Sequence, residues 1–225
     1  MKHIVVLTGA GMSAESGLKT FREAGGLWEG YDVTKVASPE GFIDNPKLVL
    51  DFYNQRRRQL LEVNPNSAHF DLAQLEKEYK VSIITQNIDD LHERAGSNCV
   101  IHLHGELLKI RSTFDETDVQ SWKTDLLLGD TCKKGYQLRP HIVWFGEPVP
   151  MIENAINVCK TADVLAIIGT SMQVYPAASL IHYVPVNIPI YYIDPNPALE
   201  SKNNLKVISE SATIGVRKLI ELLKN

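Results

Sequence analysis

Short apolar runs that stop abruptly at turn residues punctuate the chain. Ile4-Val5-Val6-Leu7 ends in Thr8-Gly9-Ala10-Gly11, and similar runs occur at Val81-Ser82-Ile83-Ile84, at Val164 to Ile168 and at Ile188 to Ile193. Near-continuous β-branched runs suit strands that are buried on both faces of a parallel sheet. Between them the apolar spacing becomes helical. Pro46 fits a first helical position and is followed by Leu48, Val49, Phe52, Tyr53 and Leu60. Asn66 opens a second pattern with Phe70, Leu72, Ala73 and Leu75. Ile152, Ala155, Ile156 and Cys159 mark a third, and Ile214, Leu219, Leu222 and Leu223 a fourth. Strands alternating with helices predict a doubly wound, mostly parallel α/β sheet.

Two segments break the alternation. Residues from about 25 to 61 are helix-rich without a convincing strand, which predicts a helical insertion after the first βα unit. Residues 112–138 have weak periodicity, carry Asp115, Glu116, Asp118, Asp125 and Asp130, and turn at Gly135. A segment that long without its own pattern is a functional loop or a small module.

Composition narrows the class. At 225 residues the chain is one large domain, or a large one with a small insert, and needs no disulfide staples. Cys99, Cys132 and Cys159 are an odd set with no CxxC spacing, which argues against a disulfide framework and an autonomous four-cysteine metal site. The net charge of −4 gives no electrostatic basis for nucleic-acid or anionic-membrane binding. With no leader pattern at Met1 and no long apolar run, the expectation is a soluble, reduced, cytoplasmic protein.

Five segments carry candidate chemistry. Gly9-Ala10-Gly11-Met12-Ser13-Ala14-Glu15-Ser16-Gly17 follows a strand directly and continues to Thr20-Phe21-Arg22. Its glycines suit a phosphate cradle at a helix N-terminus, although the spacing departs from GxGxxG and a plain turn would also use them. Gly169-Thr170-Ser171 closes another buried strand at the same expected sheet edge. Gln86-Asn87-Ile88-Asp89-Asp90 follows a third strand. A helix cap explains one Asp but leaves the two amides without a purpose. His102 and His104, in Ile101-His102-Leu103-His104-Gly105, share a side if the strand is regular, as a structural pair or as a general base with its neighbour. Tyr53 and Arg56 are three apart on the Pro46 helix and make a carboxylate clamp, whereas Arg56 to Arg58 also read as a solvated basic stripe.

Together these motifs resemble the sirtuin family of NAD-dependent protein lysine deacylases. The resemblance rests on GAGMSAESG with TFR (9–22), TQNID (85–89), IHLHG (101–105), VWFGE (143–147) and GTS (169–171), in family order. It implies one catalytic unit over 1–225, with a Rossmann-like core from 1–24, 62–108 and 140–225. A small domain would come from inserts 25–61 and 109–139. It implies NAD contacts from Gly9, Ala10, Gly11, Ser13, Glu15, Thr20, Phe21 and Arg22. Further contacts are implied from Gln86, Asn87, Ile88, Asp89, Gly169, Thr170, Ser171, Asp194, Asn196 and Ala212. His104 is implied as the catalytic base, with Asn87 and Asp89 also catalytic. Val143, Phe145, Gly146 and Glu147 would pair with the substrate backbone as an added strand.

The Tyr53/Arg56 run resembles the class III branch, which implies removal of acidic acyl groups such as succinyl or malonyl, with deacetylation possible alongside. Products would be free lysine, nicotinamide and O-acyl-ADP-ribose. Acyl-lysine proteins are the implied partners, with neither nucleic acid nor membrane, and the expected state is a monomer. Other functions for the same motifs are protein ADP-ribosylation and a non-catalytic NAD sensor.

Two departures stand out. The family's four-cysteine zinc ribbon is reduced here to Cys132, with Ser112 about where a first ligand would stand and Lys134 and Gly135 near the others. The expectation is therefore a degenerate module without zinc. Ile193-Asp194-Pro195-Asn196 stands where many relatives carry an Asn that meets the adenosine ribose, and Asp194 can accept those hydroxyls.

Overall fold

The computed structural model describes residues 1–19, 27, 28 and 30–224. Strand β1 (His3–Thr8) is buried along its whole length and leads into a single helical turn, α1 (Gly11–Ala14). A two-residue antiparallel pair follows, β2 (Leu27–Trp28) and β3 (Tyr31–Asp32). It corrects the strand-free expectation for 25–61, since runs this short leave no periodic signal. Helices α2 (Val33–Val36), α3 (Pro39–Asp44) and α4 (Pro46–Glu62) come next. Each starts on a capping side chain: Asp32 accepts from Thr34 N, Ser38 from Gly41 N and Asn45 from Leu48 N. Asn66 caps α5 (Ser67–Leu75), with His69 returning a bond to the Asn66 N–H.

The chain then forms β4 (Lys80–Thr85), α6 (Leu91–Arg94) and β5 (Val100–His102). An antiparallel sheet of β6 (Gly105–Ser112), β7 (Val119–Ser121) and β8 (Leu138–Ile142) follows. β7 is the only regular strand within 112–138, and its side chains are all exposed. Exposure on both faces explains why no alternation marks it in the sequence. The last part of the chain is α7 (Ile152–Cys159), β9 (Val164–Ile168), a 3₁₀ helix (Ala177–Tyr183), β10 (Ile190–Ile193), β11 (Leu205–Ile208) and α8 (Ala212–Leu223).

The main sheet has the order β11-β10-β9-β1-β4-β5 and is parallel throughout. Its two faces are covered by alternate residues of β1. Ile4 and Val6 pack with the layer of α5 and α8, whereas Val5 and Leu7 pack with that of α7 and the 3₁₀ helix. Register aligns Thr8 with Thr85 on one side and with Ile168 on the other, so the strands end level. Chain order reverses at β1, and ligands of open α/β sheets bind at such a switch point, outside the carboxyl ends of the strands.

The 112–138 module hangs on α4. Asn54 donates Nδ2 to Leu126 O and accepts from Leu126 N, both at 2.9 Å, in the manner of a β-ladder partner. Leu50, Ile110, Leu126, Cys132 and Leu138 form a small core under it. Ser112 Oγ lies 3.4 Å from Cys132 Sγ and also accepts from the Phe114 and Asp115 N–H groups. Beside them Phe114 stacks on Tyr136 with centroids 4.3 Å apart, and Lys134 faces Asp115 at 3.6 Å. One thiol with a hydroxyl and an ion pair does not make a tetrahedral metal site. Among the described residues no three His, Cys, Asp or Glu side chains converge as a metal-binding group.

Asn54→Ala should strand the buried Leu126 N–H and C=O, at a cost of about 1–3 kcal/mol. Urea denaturation is expected to report that loss, and limited proteolysis should cut faster within 113–137.

Candidate active site

The loops after β1 and β9 touch through their backbones. Gly9 N donates to Ile168 O at 3.0 Å and Gly11 N to Gly169 O at 2.8 Å. A Cβ on Gly11 would sit 2.6 Å from Gly169 Cα, and one on Gly9 would sit 2.7 Å from Gly169 O. The glycines are therefore required first by loop-to-loop contact. Their bonded N–H groups are engaged within the protein, which modifies the phosphate-cradle reading.

A cavity of ≈ 310 Å³ opens beside this contact. Ser13, Gln86, Asn87, Asp89 and Thr170 supply its polar wall. Asn87 Nδ2 donates to Gly9 O (3.1 Å) and Ser13 Oγ (3.2 Å), and Ser13 Oγ donates to Asp89 at 2.9 Å. Gln86 Nε2 donates to Thr170 Oγ1 at 3.0 Å, which ties the β4 loop to the β9 loop. Asp89 also accepts from Leu91 N, so it serves both α6 and the cavity. Burial pushes its carboxyl up to about 6, against the lowering effect of the Leu91 and Ser13 bonds.

The two histidines part company, which corrects the shared-side expectation. β5 ends at His102, and Gly105 begins β6 at φ +82°. The positive φ there suits glycine, and the chain already bends at Leu103 and His104, so the two histidines do not sit in one regular strand. His102 bonds Glu93 at 2.7 Å and Asn87 O at 3.2 Å, with its side chain 9% exposed, and takes no part in the cavity wall. Burial lowers its pKa, but the Glu93 hydrogen bond and charge outweigh that and the net shift is upward. His104 faces the cavity. Its Nδ1 meets Gln86 O at 3.0 Å, and the tautomer that donates there leaves the Nε2 lone pair exposed. Burial holds its pKa below the ordinary value, with the Gln86 bond opposing in part.

At the α4 end, Tyr53 and Arg56 both line the cavity. Arg56 is 6% exposed, donates Nη1 to Phe52 O at 2.7 Å and places its Cζ 3.2 Å from the Phe52 ring centroid. The basic-stripe reading fails. Arg57 is buried on Asn54 and Leu107 O, and Arg58 pairs with Asp125. Consecutive helical residues face different ways, so three arginines in a row reach three environments. Residues 143–147 line the cavity as a turn rather than an extended strand. Gly146 has φ +89° and Glu147 N donates to Trp144 O at 3.0 Å. The Glu147 side chain is bound to Arg139 (2.6 Å) and Arg111 (3.3 Å) and so braces the turn.

Comparison with known proteins now decides the family. The Sir2 family model matches residues 9–176. The chain belongs to the Sir2 family. An NAD-dependent protein deacylase from Helicobacter pylori is 58% identical over 228 residues, covering 99% of this chain and 98% of its own. One from Bacteroides thetaiotaomicron is 52% identical, covering 99% and 98%. The crystal structure of a Sir2 homolog–NAD complex superposes with TM-score 0.89 at 38% identity, over 99% of this chain and 90% of that one.

Four residues expected at the cofactor lie away from the Sir2 cavity. Glu15 accepts from Thr213 N at 2.9 Å and from the Ser211 and Thr213 hydroxyls, capping α8. Ala212, in that first turn, is buried against the sheet. Asp194 is 1% exposed and accepts from Asn196 N at 2.8 Å, an Asx turn that holds its own loop. Neither Asp194 nor Asn196 lines the cavity. Thr20, Phe21 and Arg22 lie outside the described residues. The wall also includes Lys19, Gln59, Leu60, Leu107, Trp144 and Val174 to Pro176. Leu60 continues the stripe of Tyr53 and Arg56 at helical spacing and was findable from it. The 174–176 segment carries no such signal.

Because the folded pKa of Asp89 lies above the ordinary aspartate value of 3.8, the native state holds an extra proton between about pH 4 and 6. This contribution to stability is therefore present near pH 4 and lost as pH rises through 6, leaving a penalty of about 3 kcal/mol at neutral pH. Asp89→Asn should gain in stability relative to wild type between pH 4.5 and 7.5, read as the difference between urea midpoints at the two pH values.

Proposed function

We propose that this protein is an NAD-dependent protein-lysine deacylase that prefers acyl groups ending in a carboxylate, such as succinyl and malonyl. The observation that carries the preference is the presence of Tyr53 and Arg56 in the same cavity as His104 and the Gln86–Asn87–Asp89 cluster. The donor set fits NAD: Ser13, Asn87, Asp89 and Thr170 offer hydroxyl, amide and carboxylate groups to a ribose and a nicotinamide amide. When bound, NAD supplies a ribose carbon that accepts the acyl oxygen as nicotinamide departs, and hydroxyls that finally receive the acyl group.

The chain's own residues do the rest. Asp89, ionised above about pH 6 and shielded from water, favours positive charge developing beside it. His104 is kept neutral by burial, and its Nε2 takes up the proton released in acyl transfer while Gln86 O holds Nδ1. Arg56, desolvated on Phe52, meets an acyl carboxylate with a charge-assisted bond that a neutral acetyl group cannot make. Residues 143–147 contact the peptide backbone around the acyl-lysine. Substrates are acyl-lysine proteins. The small domain built from the two inserts carries Tyr53 and Arg56, and its 112–138 module requires no zinc.

Matched succinyl- and acetyl-lysine peptides with NAD test this reading. Wild type should favour succinyl, and Arg56→Met should lower succinyl kcat/KM about ten- to a hundred-fold with little change on acetyl. Equal rates on both peptides, unmoved by Arg56→Met, would sink the acidic-acyl preference. Label from NAD appearing on protein instead of on a free acyl-ADP-ribose would replace deacylation by ADP-ribosyl transfer. The acid limb of kcat/KM should fall below pH 6.5 and vanish with the activity in His104→Ala. Metal analysis should find no stoichiometric zinc.

A further inference from the structure

Glu93 and His102 pair off next to the cavity wall. His102 ends β5, and its ring lies between two oxygens. Nε2 meets Glu93 Oε1, on α6, at 2.7 Å, and Nδ1 meets the main-chain O of Asn87 at 3.2 Å. A carbonyl oxygen only accepts, and so does an ionised carboxylate. Both ring nitrogens therefore donate, which makes this ring an imidazolium. His104 is the opposite case, with one acceptor at Gln86 O and a neutral ring.

The carbonyl that His102 holds belongs to the Asn87–Ile88 peptide, which joins two side chains of the cavity wall, Asn87 and Asp89. Before it, Asn87 N donates to Thr85 Oγ1 at 3.0 Å, and after it Ile88 O accepts from Leu107 N at 2.8 Å. His102 supplies the bond between these two anchors. Around the ring stand Glu93 and His92 on α6, Asp89 on the loop before it and Glu106 on β6, while Lys109 on β6 faces Glu93. Burial works against a charged ring here, but the Glu93 bond and the charges of Glu93 and Glu106 outweigh it. The ring keeps both hydrogens to higher pH than a free histidine.

We propose that His102, held as an imidazolium by Glu93, is a positioning residue of the deacylase that fixes the Asn87–Ile88 peptide and so aims Asn87 and Asp89. This rests on the reading of Asn87 and Asp89 as part of the NAD wall. A neutral ring has one hydrogen for two acceptors. It keeps the short, charge-assisted bond to Glu93 and turns a lone pair on Asn87 O. The hold is therefore present at low pH and lost as pH rises through the pKa of His102.

The test follows kcat, and KM for NAD and an acyl-lysine peptide, from acid to alkaline pH. In wild type kcat should fall on the alkaline side. Glu93→Gln should move that fall to lower pH by about one unit or more, with the His104 acid limb in place. His102→Phe should lower kcat about ten-fold with an unchanged peptide KM. His102→Asn, whose amide nitrogen stands near the place of Nδ1, should recover much of that kcat and show no alkaline fall. A ring that only fills space predicts neither the rescue nor the lost limb. Nitrogen NMR of isotope-labelled histidine at about pH 6.5 should show both His102 nitrogens protonated in wild type. An alkaline limb unmoved by Glu93→Gln, a singly protonated His102 at that pH, or wild-type kcat in His102→Phe would each overturn the proposal. Full activity in Asn87→Ala would overturn the NAD-wall reading, and the proposal with it.

Discussion

At the centre of the parallel sheet two backbones meet with no room for a side chain. Gly9, Gly11 and Gly169 approach so closely that a Cβ on any of the three would overlap main-chain atoms. That contact is possible because β1 and β9 run parallel in register and end level at Thr8 and Ile168. It brings three loops to one edge. Asn87 then reaches Gly9 O and Ser13, and Gln86 reaches Thr170, so the polar groups of the cavity position one another. Main-chain atoms cannot yield as flexible side chains do, so the geometry of the wall follows from the packing of the sheet.

Burial sets the electrostatics of the same wall. It raises Asp89 and lowers His104, each toward its neutral form, and among the described residues no ion pair relieves either. The fold keeps a carboxylate that would be more comfortable protonated, a cost that suits a site where positive charge develops. The opposite arrangement holds farther out. Glu147 is satisfied by Arg139 and Arg111 and is stabilised as an anion, and it braces the turn that carries Trp144. One carboxylate is held under electrostatic tension and the other is relaxed, according to the charges around them.

The core strands and long helices were legible because each has one dominant environment. β1 and β9 are buried on both faces and read as unbroken apolar runs, and α4, α5 and α8 announce themselves by caps and helical spacing. β2, β3 and β7 were not legible, since runs of two or three residues carry no period. Motif reading selected His104, Gln86 to Asp89 and the Tyr53/Arg56 pair, all of which face the cavity. Glu15, Asp194, Asn196 and Ala212 do not line it. There the side chains serve caps, turns and core, which a linear motif does not distinguish from ligand contact.

The sequence by itself determined the order of the central strands and long helices, the family, and the chemical types at the site. It also showed that the module between β6 and β8 lacks a cysteine tetrad, because ligand identity is a property of residue type alone. Tertiary structure decided which histidine faces the cavity, since the chain bends at Leu103 and His104 and the two rings take different partners. It decided the environments of Arg56, Arg57 and Arg58, because rotation about a helix axis sends neighbours to different partners. It also decided what holds the module, through the two-way bond between Asn54 and Leu126. Contacts across 72 residues of chain depend on packing that no local pattern records.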